Sequence, residues 1–166
     1  MSPLELQEHK KSIKQLPAIP VFKPLTRRQN KLPKPFKTLG GPRIFSTGLI
    51  EVSDTHVVFL YWRSGEMLSD RAFYGYLLCK THASDLSPLF EFHWHPSHKG
   101  FHCKVPCNTT LDCTGRLLPQ APELNMKTPL KLDPQVESDR LQLISIFCDA
   151  CGVKLPDQDP LSGQLW

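Results

Sequence analysis

Residues 89–105 read LFEFHWHPSHKGFHCKV, and the alternation in this stretch decides the fold. In an extended strand, successive side chains point to opposite faces. Phe90, Phe92 and Trp94 therefore share one face, and Glu91, His93 and His95 share the other. After a loop through Pro96 and His98 the pattern resumes, with Phe101, Cys103 and Val105 on one side and His102 and Lys104 on the opposite one. Both apolar sets seek the same core. A β-hairpin over residues 91–104 is predicted, with its polar side chains gathered on one surface.

Working backwards, residues 55–63 (THVVFLYWR) form a near-continuous apolar run, short enough for a buried strand rather than a helix. Residues 43–52 and 72–80 (AFYGYLLCK) read as further strands, with Gly75 a bulge or a point of close contact. Prolines recur from Pro17 to Pro42, so neither a helix nor a central strand can persist there. That segment reads as an extended arm, with Val21, Phe22, Leu25, Leu32, Phe36 and Leu39 as apolar anchors. Before it, residues 4–16 read as a short amphipathic helix. Working forwards, a helix is expected over about 135–150, opened by Asp133 or Pro134 and closed at Gly152. Strands in a run followed by a late helix describe an α+β fold. It is a twisted antiparallel sheet of about five strands, with a C-terminal helix packed on one face and an extended Pro-rich basic N-terminal arm. The expected division is an arm at 1–42, a single α+β domain at 43–154 and a loosely ordered tail at 155–166.

The net charge of +4 conceals an asymmetry. Residues 1–43 carry ten Lys and Arg against Glu5 and Glu8, and the remainder of the chain is net acidic. A basic arm of this kind suits an anionic partner, nucleic acid above all, since neutralising phosphates releases counterions. Arg27, Arg28, Lys31, Lys34 and Lys37 are its candidate contacts, joined by Lys99 and Arg116 from the later chain; the alternative is a charged, solvated linker. No apolar run is long enough to span a bilayer, and the N-terminus lacks the apolar core of a secretory signal. A cytoplasmic protein is expected, with its six cysteines as free thiols or metal ligands rather than disulfides.

Four of the seven histidines fall within residues 93–102. Two chemistries suit the hairpin set of Glu91, His93, His95, His98, His102 and Lys104. Paired imidazoles can act as general base and general acid near neutral pH. With lysines or Arg116 to steady phosphate charge, they could cleave RNA without a metal, the 2′-hydroxyl being the nucleophile. Alternatively His93, His95 and His102 with a carboxylate form a divalent-metal set that activates water, a metal-dependent hydrolase. Flanking lysines oppose a bound cation and favour the former. Ordinary packing of half-polar side chains on a sheet face is the third reading.

Cys148-Asp-Ala-Cys151-Gly152 has the form of a zinc knuckle, with Cys103 and Cys107 as further ligands of one structural zinc. The alternative is that these cysteines are small buried hydrophobes. A non-enzymatic, zinc-stabilised module binding nucleic acid or protein would follow from the zinc reading.

The order of a Trp-ended apolar strand (residues 57–62), a Tyr74-Gly-Tyr76-Leu-Leu78 strand and the segment His98-Lys99-Gly100-Phe101-His102-Cys103-Lys104 resembles TumE-type toxins of bacterial toxin–antitoxin systems. The likeness covers about residues 55–105. It implies a small bacterial growth-inhibiting toxin, a ribonuclease-like hydrolase acting on RNA, with a cognate antitoxin as protein partner. His98, Lys99, Gly100 and His102 map directly onto the family motif. Lys104 stands where the family carries a second histidine, and His93-Trp94-His95-Pro96 stands where an Asp-Asn pair is expected.

Overall fold

The computed structural model describes residues 8–9, 11–81, 85–96, 101–104 and 131–156, with 101–104 described by backbone alone. Six strands follow one another across a single antiparallel sheet: β1 (Lys23–Pro24), β2 (Ile44–Glu51), β3 (His56–Arg63), β4 (Ala72–Lys80), β5 (Leu86–Trp94) and β6 (Phe101–Lys104). An α-helix, α1 (Glu137–Cys151), comes last. This is the α+β arrangement expected, with the five anticipated strands as β2–β6 and the short β1 added at the edge. Among the described residues no helix is long and apolar enough to cross a membrane.

The central strands β3 and β4 are buried almost end to end. A sheet with one wet face would alternate, so continuous burial means that both faces are covered. On one face Val58, Leu60 and Trp62 of β3, Phe73 and Leu77 of β4, and Phe92 and Trp94 of β5 meet Leu143, Ile144, Phe147 and Cys148 of α1. Gly75 lies in the middle of that contact, where a Cβ would come 2.7 Å from the Phe147 ring. Its missing side chain lets the helix approach the sheet. Trp94 closes the far end of this core, its Nε1 donating to the Leu132 carbonyl at 2.7 Å.

The other face is covered by the arm. Phe36 is buried against Phe59 (ring centroids 4.2 Å apart) and Tyr76 (4.9 Å), with Leu25, Leu32 and Leu39 partly buried beside it. Pro24 sits in the outermost strand, where its lack of an N–H is tolerated. Leu16 anchors the arm on the helix side, but Val21 is 68% exposed and is no anchor.

Three local expectations are corrected. Helical structure near the N-terminus does not reach Leu16: Ser12 N–H closes a turn on the Glu8 carbonyl, and Gln15 then pairs in parallel with Lys154. Leu16 N–H donates to the Lys154 carbonyl, so tertiary pairing overrides local propensity. Strand β5 begins at Leu86 rather than Leu89. Pro88 is accommodated where the β4–β5 register shifts, Leu77 facing Phe90 and Leu78 facing Pro88. Finally, α1 starts at Glu137 and ends one residue late, at Cys151, with Gly152 left-handed (φ 74°) as its C-cap.

Candidate functional site

Successive ladders align residues in rows across the sheet. One row runs Ser46, Tyr61, Tyr74, His93, His102, each facing the next across a strand boundary. The neighbouring row runs Phe59, Tyr76, Glu91, Lys104. Both lie on the face turned away from α1. Directly opposed positions in an antiparallel pair hold their Cβ atoms about 4.5–5.5 Å apart. The backbone register alone thus sets position 102 beside His93 and position 104 beside Glu91.

The rings of this face are in contact. Tyr61 and Tyr74 stack with centroids 4.4 Å apart, and Tyr74 meets His93 edge-on at 5.0 Å and His95 at 5.6 Å. Tyr76 lies 6.1 Å from His93, whose Nε2 is 3.8 Å from a Glu91 carboxylate oxygen. Burial drives the Tyr61 phenol up to about 12 and raises those of Tyr76 and Tyr74 as well. These phenols are therefore neutral near pH 7, supplying rings and hydroxyls but no charge. The side chains of Glu91 and His93 are only partly exposed. Charges in so dry a setting interact more strongly than they would in water.

The expected polar surface is thus the rim of a tyrosine-lined face. The tyrosines escaped the sequence reading because only strand pairing brings Tyr61 and Tyr74 into line with His93. The available signal was alternation: Tyr61, Tyr74 and Tyr76 fall opposite the residues destined for the helix-side core.

Among the other candidates, Arg27, Arg28, Lys31, Lys34 and Lys37 are all exposed. His98, Lys99, Arg116 and Cys107 lie outside the described residues. Cys148 and Cys151 fall on the buried stripe of α1. Burial pushes the Cys148 thiol up to about 12 and raises that of Cys151 well above its ordinary value. Cys103 pairs in register with Phe92, a residue of the helix-side core. Among the described residues no three His, Cys, Asp or Glu side chains converge as a metal set.

A second polar cluster went unforeseen. His56, buried at the head of β3, is 2.8 Å (Nε2) from His9 Nδ1, while its Nδ1 is 3.0 Å from the Ser53 hydroxyl and 2.9 Å from that of Thr55. Buried Lys14 donates to the Ser12 carbonyl at 2.9 Å and to the His9 carbonyl. Burial first, then the Lys14 charge and His9, lower the His56 pKa to about 4. A histidine opening an otherwise apolar strand was the clue that a polar partner must exist, but its partner is 47 residues away.

The chain matches no protein-family model, no curated protein and no solved structure.

Proposed function

We propose that this protein acts on RNA, cleaving the phosphodiester by histidine acid–base chemistry at the rim of the tyrosine-lined face. The observation that supports this reading is the β5–β6 register, which sets His93 opposite His102 and Glu91 opposite Lys104. Two imidazoles one strand apart can bracket a single phosphate. One, neutral, takes the proton of the 2′-hydroxyl as its oxygen attacks phosphorus; the other, protonated, gives a proton to the departing 5′-oxygen. The products are a 2′,3′-cyclic phosphate and a 5′-hydroxyl, and no metal is required. Lys104 supplies positive charge beside the dianionic transition state. A Glu91 carboxylate oxygen lies 3.8 Å from His93 Nε2, and Tyr74 meets its ring edge-on.

The test is cleavage of a fluorescent single-stranded RNA in EDTA. Wild-type protein cleaves it with a bell-shaped pH profile, while His93→Ala and His102→Ala each lose at least 100-fold in kcat with an unchanged melting temperature. Cleavage by both variants at the wild-type rate sinks the reading. Activity that returns only on adding a divalent ion replaces it with metal-dependent hydrolysis by His93, His95 and His102. Stoichiometric zinc with RNA binding but no turnover replaces it with a zinc-stabilised binding module. The likeness to TumE-type toxins supplies a cellular setting for the same chemistry: expression arrests growth of a bacterial host, the His102→Ala variant does not, and a cognate antitoxin relieves the arrest.

A further inference from the structure

The loop over residues 30–39 is built around one side chain. Asn30 Nδ2 donates to the carbonyls of Phe36 (2.6 Å), Leu39 (2.6 Å) and Lys37 (3.2 Å), and its Oδ1 accepts from Leu32 N–H at 2.7 Å. Two turns complete the loop, Phe36 N–H to the Pro33 carbonyl at 2.9 Å and Leu39 N–H to that of Phe36 at 3.2 Å. Its sequence, NKLPKPFKTL, holds three lysines and no acid. An asparagine amide with both polar ends engaged fixes a loop that prolines and lysines alone would leave as a flexible linker.

Phe36 then docks the loop at a defined place. Its ring lies 4.9 Å from Tyr76, and Tyr76 lies 6.1 Å from His93, so a single ring separates the loop's anchor from the candidate acid–base pair. While Phe36 is buried, Lys31, Lys34 and Lys37 are all exposed. A cover needed only to keep water off Phe59 and Tyr76 would require the phenylalanine but gain nothing from three lysines spaced three apart. That spacing on a stapled loop is what a polyanion running past the site would meet.

We infer that residues 30–39 form the phosphate clamp of the histidine site, Lys31, Lys34 and Lys37 gripping the RNA backbone, with Asn30 and Phe36 as positioning residues. This rests on the RNA reading above and adds how the substrate is held. Lysines on a fixed loop bind phosphate without first losing the loop's conformational freedom, so releasing the loop weakens binding even when every charge remains.

The experiment measures binding of a fluorescent single-stranded RNA by anisotropy at several salt concentrations, alongside cleavage kinetics, using the full chain. The triple variant Lys31→Ala, Lys34→Ala, Lys37→Ala lies on the surface and keeps the wild-type melting temperature. It should weaken binding at least 30-fold and reduce the slope of log K against log salt by about 2, three single-strand phosphate contacts being worth about 0.7 each. Asn30→Ala keeps all three charges and should raise KM about 10-fold while kcat stays within a factor of two; Asn30→Asp, which keeps the bond from Leu32 but turns an oxygen on the three carbonyls, should lose at least as much. Wild-type affinity and salt slope in the triple variant overturn the clamp. Wild-type KM in a folded Asn30→Ala variant overturns the positioning role. If His93→Ala abolishes cleavage while the lysine variant binds normally, the clamp fails and the acid–base reading stands. If RNA is bound through the three lysines but not cleaved, the acid–base reading fails and the clamp stands. A chain that binds no RNA ends both.

Discussion

Replacing Gly75 with alanine adds one methyl group at the tightest point between sheet and helix. Built on the present backbone, that methyl lies 2.7 Å from Phe147 Cδ2 and 3.0 Å from two further ring atoms. Phe147 is wholly buried, with Phe90 at 6.0 Å and Phe92 at 6.1 Å between ring centroids, so the ring cannot withdraw into solvent. Overpacking of a filled core costs about 1–3 kcal/mol, and the rigid aromatic surroundings argue for the upper half of that range. Loss of glycine's flexibility in the unfolded chain returns about 0.4–1 kcal/mol. A net destabilisation of about 2 kcal/mol follows, or a fall in Tm of roughly 4–8 °C for a chain of this size. Urea titration followed by tryptophan fluorescence reads it directly, because Trp62 and Trp94 both lie in the affected core. The deciding measurement is a double-mutant cycle with Phe147→Leu, which removes the ring edge that the methyl meets. The two changes should couple by at least 1 kcal/mol, with the leucine partly rescuing the alanine. Additive costs would refute the reasoning, since Gly75 would then be excluding something other than Phe147.

His56 titrates at about 4 when folded against about 6.5 unfolded, so the unfolded chain takes up the proton first on acidification. Its contribution is intact above about pH 6.5 and falls as pH drops towards 4, by up to about 3 kcal/mol, with no further loss below that. In His56→Gln this segment of the stability–pH curve should flatten; an unchanged slope would show that other groups set it. Trp94→Phe keeps a ring in the core but leaves the Leu132 carbonyl without its 2.7 Å donor, and should cost about 1–3 kcal/mol by urea midpoint. A loss below 0.5 kcal/mol would mean that the carbonyl finds another donor. Cys148 and Cys151, buried and held as thiols, should resist a thiol reagent in the native protein and react only on unfolding. Rapid native modification would contradict the packing.

The strands were legible because their signals are local. Alternation in residues 89–105 anticipated the β5–β6 pairing, and the apolar run at 55–63 announced a buried strand. Gly75, read as a close-contact point, lies directly beneath the helix. What escaped depended on partners distant in sequence. Residues 13–16 leave the expected helix because they pair with the chain near Lys154, some 140 residues on. The apolar residues of the arm gave no order of merit, so Val21 ranked with Phe36, although Phe36 is buried against two rings and Val21 is exposed. The carboxamide of Asn30, stapling a loop ten residues long, is invisible to any reading by period.

The distribution of cover across the sheet bears on where chemistry can happen. Along the row from Ser46 to His102, Tyr61 and Tyr74 are buried, and His93 follows with 29% of its side chain exposed. Ring follows ring from the buried tyrosines to a partly exposed imidazole. A histidine deeper in the row would share the fate of His56, whose surroundings drive its pKa down to about 4 and hold it uncharged at neutral pH. One on an open strand would have no fixed orientation and no dry neighbourhood in which its charge counts. At the boundary, Tyr74 meets the ring of His93 edge-on and Glu91 lies 3.8 Å away. The same fold therefore contains a part-buried imidazole pair in hydrogen-bond contact, His9 with His56, and a pair of opposed strand positions, 93 with 102, of which His93 lies at the edge of the cover.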